Sequence, residues 1–275
     1  MRVMRTYFTI PLLLVAVFGA QADEVLRYDG SARDASSGEL LYRETHYLEQ
    51  SSEQLNQRLV LYRCADNEKV FARKRVRYGQ ASETPDFELV DARLGYREGL
   101  QRHRDQTLWT FVQRDRFSSE DREALPPERR FVADAGFDEF LKVNWEKLQR
   151  GDEVRLDFLV PAELGTIAFK IRKHREERID GRTASVIRLS LGAWWGFIAP
   201  HIDAAYDQQT QTLLRYEGLS NLRGSNGRNL NVRVDFPPEL RRASDTASLQ
   251  QASAQRLSVT CAAAPATKSP TSASP

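Results

Sequence analysis

Regular alternation of apolar and polar residues dominates this sequence and predicts an antiparallel, β-rich fold. Between Leu40 and Leu48 the side chains alternate between two faces, and aromatic and β-branched residues are frequent. Two further runs flank the polar segment 65–68, whose composition predicts a hairpin turn just after Cys64. Strands are predicted for residues 40–48, 55–62, 69–78, 87–96, 107–113, 154–160, 166–175, 184–191, 201–206, 213–219 and 230–236.

Two segments between these strands are expected to be irregular. A polar stretch containing Gly99 separates the strands predicted for 87–96 and 107–113. Segment 117–130 combines many charges with Pro126 and Pro127. Because proline lacks a backbone donor for a sheet, we expect this segment to be a connection.

One segment has helical periodicity and predicts an amphipathic helix. Gly151 stands where that helix would end. Because the helix must bury its apolar stripe, we expect it to cover one face of the sheet. The predicted fold is therefore mainly β (α+β), a curved antiparallel sheet or partly closed β-barrel with one covering amphipathic helix. The apolar stripe consists of Phe137, Phe140, Leu141, Trp145 and Leu148.

The N-terminal segment has the three-part pattern of a secretory signal peptide. Arg2 and Arg5 precede an apolar run, and the small-residue triplet at 20–22 follows it. The run is too short to span a bilayer as a helix. We therefore expect cleavage near Ala22, no transmembrane anchor in the mature protein, and a periplasmic location.

The composition divides the chain into three parts. We expect a signal peptide over residues 1–22, a single β-rich domain over 23–242, and a low-complexity, mostly disordered tail over 243–275. The last residues are almost wholly Ala, Ser, Thr and Pro, which cannot bury enough apolar surface to fold. Segment 256–261 alternates and is expected to add a short edge strand.

Net charge argues against nucleic acid as a partner. The chain has 40 basic and 38 acidic residues, and loss of Arg2 and Arg5 with the signal peptide leaves 38 of each. A neutral chain lacks the positive field that drives nucleic-acid binding.

The two cysteines, Cys64 and Cys261, lie far apart in the sequence and do not form a Cys-x-x-Cys motif. In an oxidising compartment such an isolated pair favours a structural disulfide over a redox or metal site.

No catalytic motif is apparent, including the hydrolase elbow, the phosphate loop and the zinc-protease motif. The four histidines, at positions 46, 103, 174 and 201, lack metal-ligand spacing. Asp203 and Asp207 resemble a carboxylate pair, but near pairs are expected by chance among 38 acidic residues. We therefore assign no catalytic residue, no metal site and no cofactor.

Two basic runs, Arg73–Arg77 and Lys170–Arg175, lie on predicted strands. A solvated strand face is the simpler interpretation. The alternative is a docking patch for an acidic partner or anionic head groups, because alternate residues project to the same side of a strand.

An unusually apolar segment with adjacent tryptophans follows residue 191. Neighbouring residues on a strand point to opposite sides, and only one of the two tryptophans can easily join the core. Core packing is the simpler account, and the alternative is an apolar groove between sheet and helix. The candidate ligand-binding residues are Trp145, Trp194, Trp195, Phe197 and Ile198.

Segments 204–207 and 213–218, which read Ala-Ala-Tyr-Asp and Leu-Leu-Arg-Tyr-Glu-Gly, form a strand–turn–strand pattern. With the signal peptide and the covered open sheet, this pattern resembles a group of uncharacterised exported bacterial proteins that are similar to the periplasmic lipoprotein carriers. The resemblance spans residues 23–236 and implies an apolar cavity that accepts acyl chains. It transfers no active-site residue, and this chain is longer and richer in charge than the carriers.

The leading hypothesis from the sequence is a non-catalytic periplasmic binding or carrier protein for a hydrophobic or lipidic ligand. The second is an envelope interaction or assembly protein that binds a protein partner without a small ligand. The third is a hydrolase with dispersed catalytic residues.

Overall fold

A computed structural model of the protein describes residues 24–51, 54–79, 81–126, 130–191 and 201–261. The predicted signal peptide and residues 262–275 lie outside the described residues. The same holds for four of the candidate ligand-binding residues, Trp194, Trp195, Phe197 and Ile198.

The described residues form a 15-stranded antiparallel sheet. Consecutive strands pair with one another from β1 through β8, and again from β9 through β14. The expected antiparallel meander is therefore confirmed. The strands are β1 (Glu24–Asp34), β2 (Leu40–Ser51), β3 (Gln54–Cys64), β4 (Val70–Arg77), β5 (Asp86–Asp91), β6 (Tyr96–Arg102), β7 (Leu108–Gln113), β8 (Asp121–Leu125), β9 (Val154–Val160), β10 (Gly165–Ile179), β11 (Arg182–Leu191), β12 (Ile202–Asp207), β13 (Leu213–Arg223), β14 (Asn229–Asp235) and β15 (Arg242–Ser244).

Strand β1 joins the two halves of the sheet, β1–β8 and β9–β14. One edge of β1 pairs with β2, and the other pairs with β14 through residues 31–34 and with β15 through residues 25–27. The sheet is not closed into a barrel.

Residues 131–133 form a second link between the halves. The N–H of Val132 donates to the carbonyl of Asp157 in β9 at 2.8 Å, and the N–H of Leu159 donates back to Val132 at 2.9 Å. On the other side, the N–H of Ala133 donates to the carbonyl of Glu83 at 3.0 Å, in the turn after β4. This segment therefore ties β9 to the first half and positions the helix that follows.

In the described part of the chain, three short α-helices cover the sheet, two on one face and one on the other. Strand β3 shows the alternation, since Val60 and Tyr62 lie in the core on one side while Leu59 and Leu61 pack against Leu249 on the other. We call these the inner and outer faces. None of the helices formed by the described residues is long and apolar enough to cross a membrane. The helices are α1 (Gly136–Val143) and α2 (Trp145–Gln149) on the inner face, and α3 (Thr246–Ser253) on the outer face.

The predicted covering helix is present but divided at Asn144. The Asn144 side chain donates to the carbonyl of Phe140 at 2.9 Å and competes with the backbone ladder. Leu141 and Leu148 are fully buried, whereas Val143 is 75% exposed. The apolar stripe therefore faces the sheet as predicted, although it belongs to two helices.

Two segments expected to be irregular contain strands. Gly99 lies in the middle of β6, where a Cβ atom would stand 2.1 Å from the carbonyl oxygen of Phe87. The glycine is required by close packing of the neighbouring strand, not by a turn. Segment 117–130, expected to be a connection, contains β8.

The part of the predicted tail that the structure describes also carries regular elements. Strand β15 extends into it, and α3 follows with Asp245 as its N-cap, accepting from the N–H of Ser248 at 2.6 Å. Segment 256–261, expected to be a short edge strand, is not a strand, although the N–H of Ser258 donates to the carbonyl of Val70 in β4 at 2.7 Å. Residues 243–253 of the predicted tail therefore carry regular structure, although their composition is of low complexity.

The two cysteines lie at disulfide distance, with Cα atoms 5.4 Å apart. Cys64 is buried at the end of β3, and Cys261 lies beyond α3. The side chain of Asn67 donates to the carbonyl of Cys261. These contacts hold the segment after α3 against the turn between β3 and β4.

Candidate functional site

The start of α1 lies between the two halves of the sheet, where two aspartates fix it. Asp134 precedes the helix, and Asp138 lies in its first turn. The Asp134 carboxylate contacts β4 and β13, while that of Asp138 contacts β3 and β12. Each aspartate therefore bridges one half of the sheet to the other.

Asp138 is held by a cation and a hydroxyl group. Nη2 of Arg58 donates to Oδ2 of Asp138 at 2.9 Å, and Oη of Tyr206 donates to Oδ1 at 2.8 Å. Burial alone would raise the pKa of Asp138, but Arg58 and Tyr206 hold it below its usual value. Asp138 is therefore ionised, and loss of either charge would leave the other poorly compensated.

Asp134 makes the second bridge. Nζ of Lys74 donates to Oδ2 of Asp134 at 2.8 Å, and Nδ2 of Asn221 approaches the same oxygen at 3.4 Å. The other oxygen accepts from the N–H of Ala135 at 2.7 Å. Burial alone would lower the pKa of Lys74, but the Asp134 carboxylate raises it above its usual value. Lys74 therefore stays protonated inside the fold, where it pairs with Asp134.

Aromatic and basic side chains surround Arg58 on the inner face. The rings of Tyr28 and His46 stack with centroids 4.5 Å apart, and the guanidinium of Arg241 lies 4.3 Å from the Tyr28 centroid. Nε2 of His46 lies 2.7 Å from Oε2 of Glu44. Burial lowers the pKa of His46 in spite of Glu44, which favours a neutral ring. We call Arg58, Arg241, Tyr28, His46 and Tyr78 the Tyr28 cluster.

Several buried polar atoms of the Tyr28 cluster have no hydrogen-bond partner among the described residues. They are Nε of Arg58, Nε of Arg241, Nδ1 of His46 and Oη of Tyr78. Arg241 donates through Nη2 to the carbonyl of Leu213 at 2.7 Å, and within the described ranges no carboxylate lies at ion-pair distance from it. Buried polar groups in folded proteins are usually paired, and this concentration marks a polar site inside the fold.

Next to this polar region, α1 and α2 cover an apolar part of the inner face. Trp145 is 9% exposed and meets Tyr206 edge to face, with ring centroids 6.4 Å apart. Leu141 and Leu148 are buried in the same cluster. Their neighbours in the sheet are Leu156, Ile171, Ile187, Leu189 and Ala204.

Of the predicted ligand-binding residues, Trp145 falls within the described residues and lies in this interface between helix and sheet. Trp194, Trp195, Phe197 and Ile198 belong to the connection between β11 and β12, outside the described residues. Their role therefore stays a prediction.

Sequence reasoning missed the charged residues that hold α1. Lys74 belongs to a predicted basic run, in which alternate residues face opposite sides of β4. Arg73 and Arg75 face outward and donate to the carbonyl of Ser253 in α3, at 2.8 Å and 3.1 Å. Lys74 faces inward, toward Asp134. Its position between the apolar neighbours Ala72 and Val76 was the available signal.

The acidic residues singled out in the sequence have arginine partners. Asp203 accepts from Arg188 at 2.7 Å and from Arg175 at 3.0 Å, and Asp207 accepts from Arg182 at 2.9 Å. Across the described part of the chain, no group of three or more His, Cys, Asp or Glu side chains is arranged to hold a metal ion.

No protein-family model matches this chain, and no curated protein matches it. Solved structures with a similar arrangement are found. A beta-barrel-like protein of the domain of unknown function DUF1849 from Brucella abortus has 11% identity and a TM-score of 0.47, over 82% of this chain and 99% of that one.

Two further structures are similar. A putative outer membrane lipoprotein-sorting protein domain from Vibrio parahaemolyticus has 7% identity and a TM-score of 0.32, over 86% of this chain and 92% of that one. A DUF1329 family protein from Desulfovibrio piger has 10% identity and a TM-score of 0.25, over 81% and 86%. A lipoprotein-sorting domain is thus among the similar structures, as the weak resemblance predicted, and at these identities and TM-scores the likeness concerns the arrangement of the chain alone.

Proposed function

We propose that this protein is a non-catalytic binding or carrier protein of the periplasm, and that its ligand is hydrophobic or lipidic. The ligand lies between the inner face of the sheet and the cover, which we define as residues 131–149 with α1 and α2. The observation that carries this proposal is the construction of the cover. It spans an apolar surface, and two polar bridges at Asp134 and Asp138 hold its start.

Such a cover is suited to opening. Apolar contacts are not directional, and an acyl chain can replace the side chains of Leu141, Trp145 and Leu148 against the sheet. Exposing these three side chains costs about 1.5–3 kcal/mol each. An acyl chain recovers about 0.8 kcal/mol per buried methylene, and roughly ten methylenes offset the opening. A single fatty chain is therefore enough.

Trp194, Trp195, Phe197 and Ile198 are proposed to contribute to the same site. Replacing Trp195 with Ala is expected to weaken ligand binding more than folding. An equal loss of ligand affinity and of unfolding free energy would indicate that Trp195 has a role in core packing instead.

Native mass spectrometry of the protein purified from the compartment where it matures, with solvent extraction, tests the proposal. A co-purifying amphiphile is the expected result. The neutral fluorescent probe N-phenylnaphthylamine gives a second readout. Asp134→Asn weakens the bridge to Lys74 and should tighten probe binding, whereas the matched change Asp245→Asn at the outer-face helix cap should not. An unliganded mass after incubation with envelope lipids, together with no probe binding to any variant, would refute the proposal.

One observation favours the rival role of an envelope interaction protein. Phe117 is 91% exposed in the turn after β7, and its N–H and that of Ser118 both donate to Oδ1 of Asp115 at 2.8 Å. A single exposed apolar side chain is common, and for this reason the rival stays second. Salt-sensitive capture of an envelope protein that Phe117→Ser abolishes, without any effect on probe binding, would favour it.

A further inference from the structure

We infer that the ligand carries an anionic head group, and that Arg58 and Arg241 of the Tyr28 cluster bind it in competition with Asp138. This inference rests on the proposed function, because it names the chemistry of the ligand held at the inner face.

The charges of the cluster are the first argument. Arg58 has a carboxylate partner in Asp138, whereas Arg241 has none within the described ranges. The Glu44 carboxylate already contacts His46, whose ring stacks on the ring of Tyr28. Close to Tyr28, the Arg241 guanidinium therefore lacks a carboxylate partner of its own among the described residues, and it is available to a second anion.

The unpaired donors are the second argument. Nε of Arg58, Nε of Arg241 and the hydroxyl of Tyr78 are buried N–H and O–H groups without an acceptor among the described residues. Carboxylate and phosphate oxygens accept charge-assisted hydrogen bonds from guanidinium groups, often two at once. An alcohol or an amide supplies fewer acceptors and no charge. An anionic head group is therefore the ligand chemistry that these donors match.

The ion pair with Asp138 shows that Arg58 can bind a carboxylate at this position. The Asp138 side chain keeps 21% of its exposure, and Arg241 is half-buried, which leaves the cluster within reach of solvent. A head group that takes the place of Asp138 on Arg58 breaks one of the two bridges that hold the cover. Head-group binding and opening of the apolar surface are thereby coupled, since α1 carries both Asp138 and Leu141.

Isothermal titration with ligands that share one chain and differ in head group tests the inference. The probes are dodecanoate and dodecyl phosphate, each below its critical micelle concentration, and dodecanol below its solubility limit. The readout is the ratio of the affinity for the anionic ligand to the affinity for the alcohol, which cancels the contribution of the chain. We expect a ratio of about ten or more for the unmodified protein.

Variants locate the effect. Arg241→Gln should bring the ratio close to one, and Arg241→Lys should restore part of it because the charge remains. Asp138→Asn should raise the ratio, because a competing negative charge is removed. Arg242→Gln is the matched control: this neighbour pairs with Asp29 at 3.5 Å, and its loss should leave the ratio unchanged.

The outcomes separate the inference from the proposed function. The inference is overturned if the affinity ratio of the unmodified protein is near one, or if Arg241→Gln does not change that ratio. In either case, binding of the alcohol still supports the proposed carrier function. Absence of binding by all three ligands overturns the carrier as well. If circular dichroism shows that Asp138→Asn does not fold, the affinity ratios of the two Arg241 variants still test the inference. Tighter binding of dodecanoate or of dodecyl phosphate assigns the anion to a fatty acid or to a phosphate lipid.

Discussion

Glu98 on β6 is a buried carboxyl group whose charge changes near neutral pH. Burial raises its pKa to about 7, although the Tyr96 hydroxyl donates to it and Arg223 lies nearby. Its side chain faces the inner core with Leu89 and Val112 as cross-strand neighbours. The folded protein therefore binds this proton more tightly than the unfolded chain does.

The effect of Glu98 on stability has a definite sign. A pKa that is higher in the folded state contributes stability that is complete below about pH 4.5 and is lost as the pH rises through about 7. The loss amounts to roughly 3 kcal/mol. Glu98→Gln should remove this pH dependence and make the protein more stable than the unmodified chain at pH 8, as urea unfolding across the pH range will measure. The exposed change Glu39→Gln should leave the profile unaltered, and a Glu98→Gln profile parallel to that of the unmodified chain would contradict the assignment.

The burial of individual charged residues of this kind could not be predicted from the sequence. Alternation identifies which residues share a face of a strand, but it does not tell which face is covered. In a chain with 78 charged residues, Glu98 and Arg58 cannot be told from the charged residues at exposed positions of a strand. Their burial follows from the helices laid over the inner face, and only the tertiary structure reveals it.

At the scale of elements, β4 shows how one basic run serves two purposes. Arg73 and Arg75 donate to the carbonyls of Ser253 and Gln255, at the C-terminal end of α3. Cations there complement the helix dipole and satisfy carbonyls that the helix leaves unpaired. Lys74, between them, faces the opposite side and holds α1 through Asp134. A single strand therefore anchors a helix on each face of the sheet.

The outer contact predicts a local loss of stability. The double change Arg73→Gln/Arg75→Gln should weaken the docking of α3 by about 1–2 kcal/mol, because two charged donors to the helix end are lost. Hydrogen exchange of the α3 amides should accelerate while the amides of β5–β7 keep their protection. Arg77→Gln is the matched control on the same strand, since this residue is exposed. Uniform acceleration throughout the sheet would refute a local role.

The inner contact predicts a non-additive double change. Lys74→Met alone should cost about 3–5 kcal/mol, because Asp134 then keeps a buried charge without its partner. Adding Asp134→Asn removes that charge, and the double variant should be more stable than Lys74→Met when urea unfolding is measured. The more accessible pair Lys142 and Glu139, 2.7 Å apart on α1, provides a control whose removal should cost less than about 0.5 kcal/mol. Additive costs at Lys74 and Asp134 would show that the two do not act as a pair.

The elements themselves were largely predictable, and the exceptions have physical causes. Strands with regular alternation, such as β2 and β9, lie where the sequence places them. Strand β6 was missed apart from Tyr96, because the polar stretch around Gly99 indicated an irregular segment, whereas the glycine admits Phe87 and Phe111 at close approach. Helix α3 was missed because its cap, Asp245, stands in a low-complexity segment.

At the scale of the whole molecule, the candidate site depends on contacts that no local pattern records. Arg58, Tyr206 and Arg241 come from β3, β12 and the segment before β15, and they meet around Asp138 because β1 joins the two halves of the sheet. The resemblance to lipoprotein carriers predicted an apolar cavity. In the described residues, side chains of α1 and α2 pack on this part of the inner face, and a charged and aromatic region lies at the start of the cover, which composition alone did not suggest.

The proposed bond between Cys64 and Cys261 acts on the same scale, since 197 positions separate the two residues. Closing a loop of that length stabilises the folded state by at most about 5 kcal/mol in the chain-entropy model. We expect the exported protein to take up no thiol-specific alkylating reagent in denaturant until it is reduced, and then to take it up at both cysteines. Mass spectrometry measures this directly.

Losing the bond should release the C-terminal segment first, because the contacts that follow α3 are few. In Cys64→Ser/Cys261→Ser, hydrogen exchange should accelerate in α3 and in residues 254–261 before it does in the sheet, and the free energy of unfolding should fall by about 2–5 kcal/mol. Arg73→Gln/Arg75→Gln in the same background tests whether the disulfide and the two arginines hold one unit. If they do, the two sets of changes together should cost less than the sum of their separate costs, since a segment already released has no docking energy left to lose. Alkylation of the exported protein without reductant would show that the pair is not bonded, and the docking of α3 would then rest on Arg73, Arg75 and the apolar contacts of Leu249 alone.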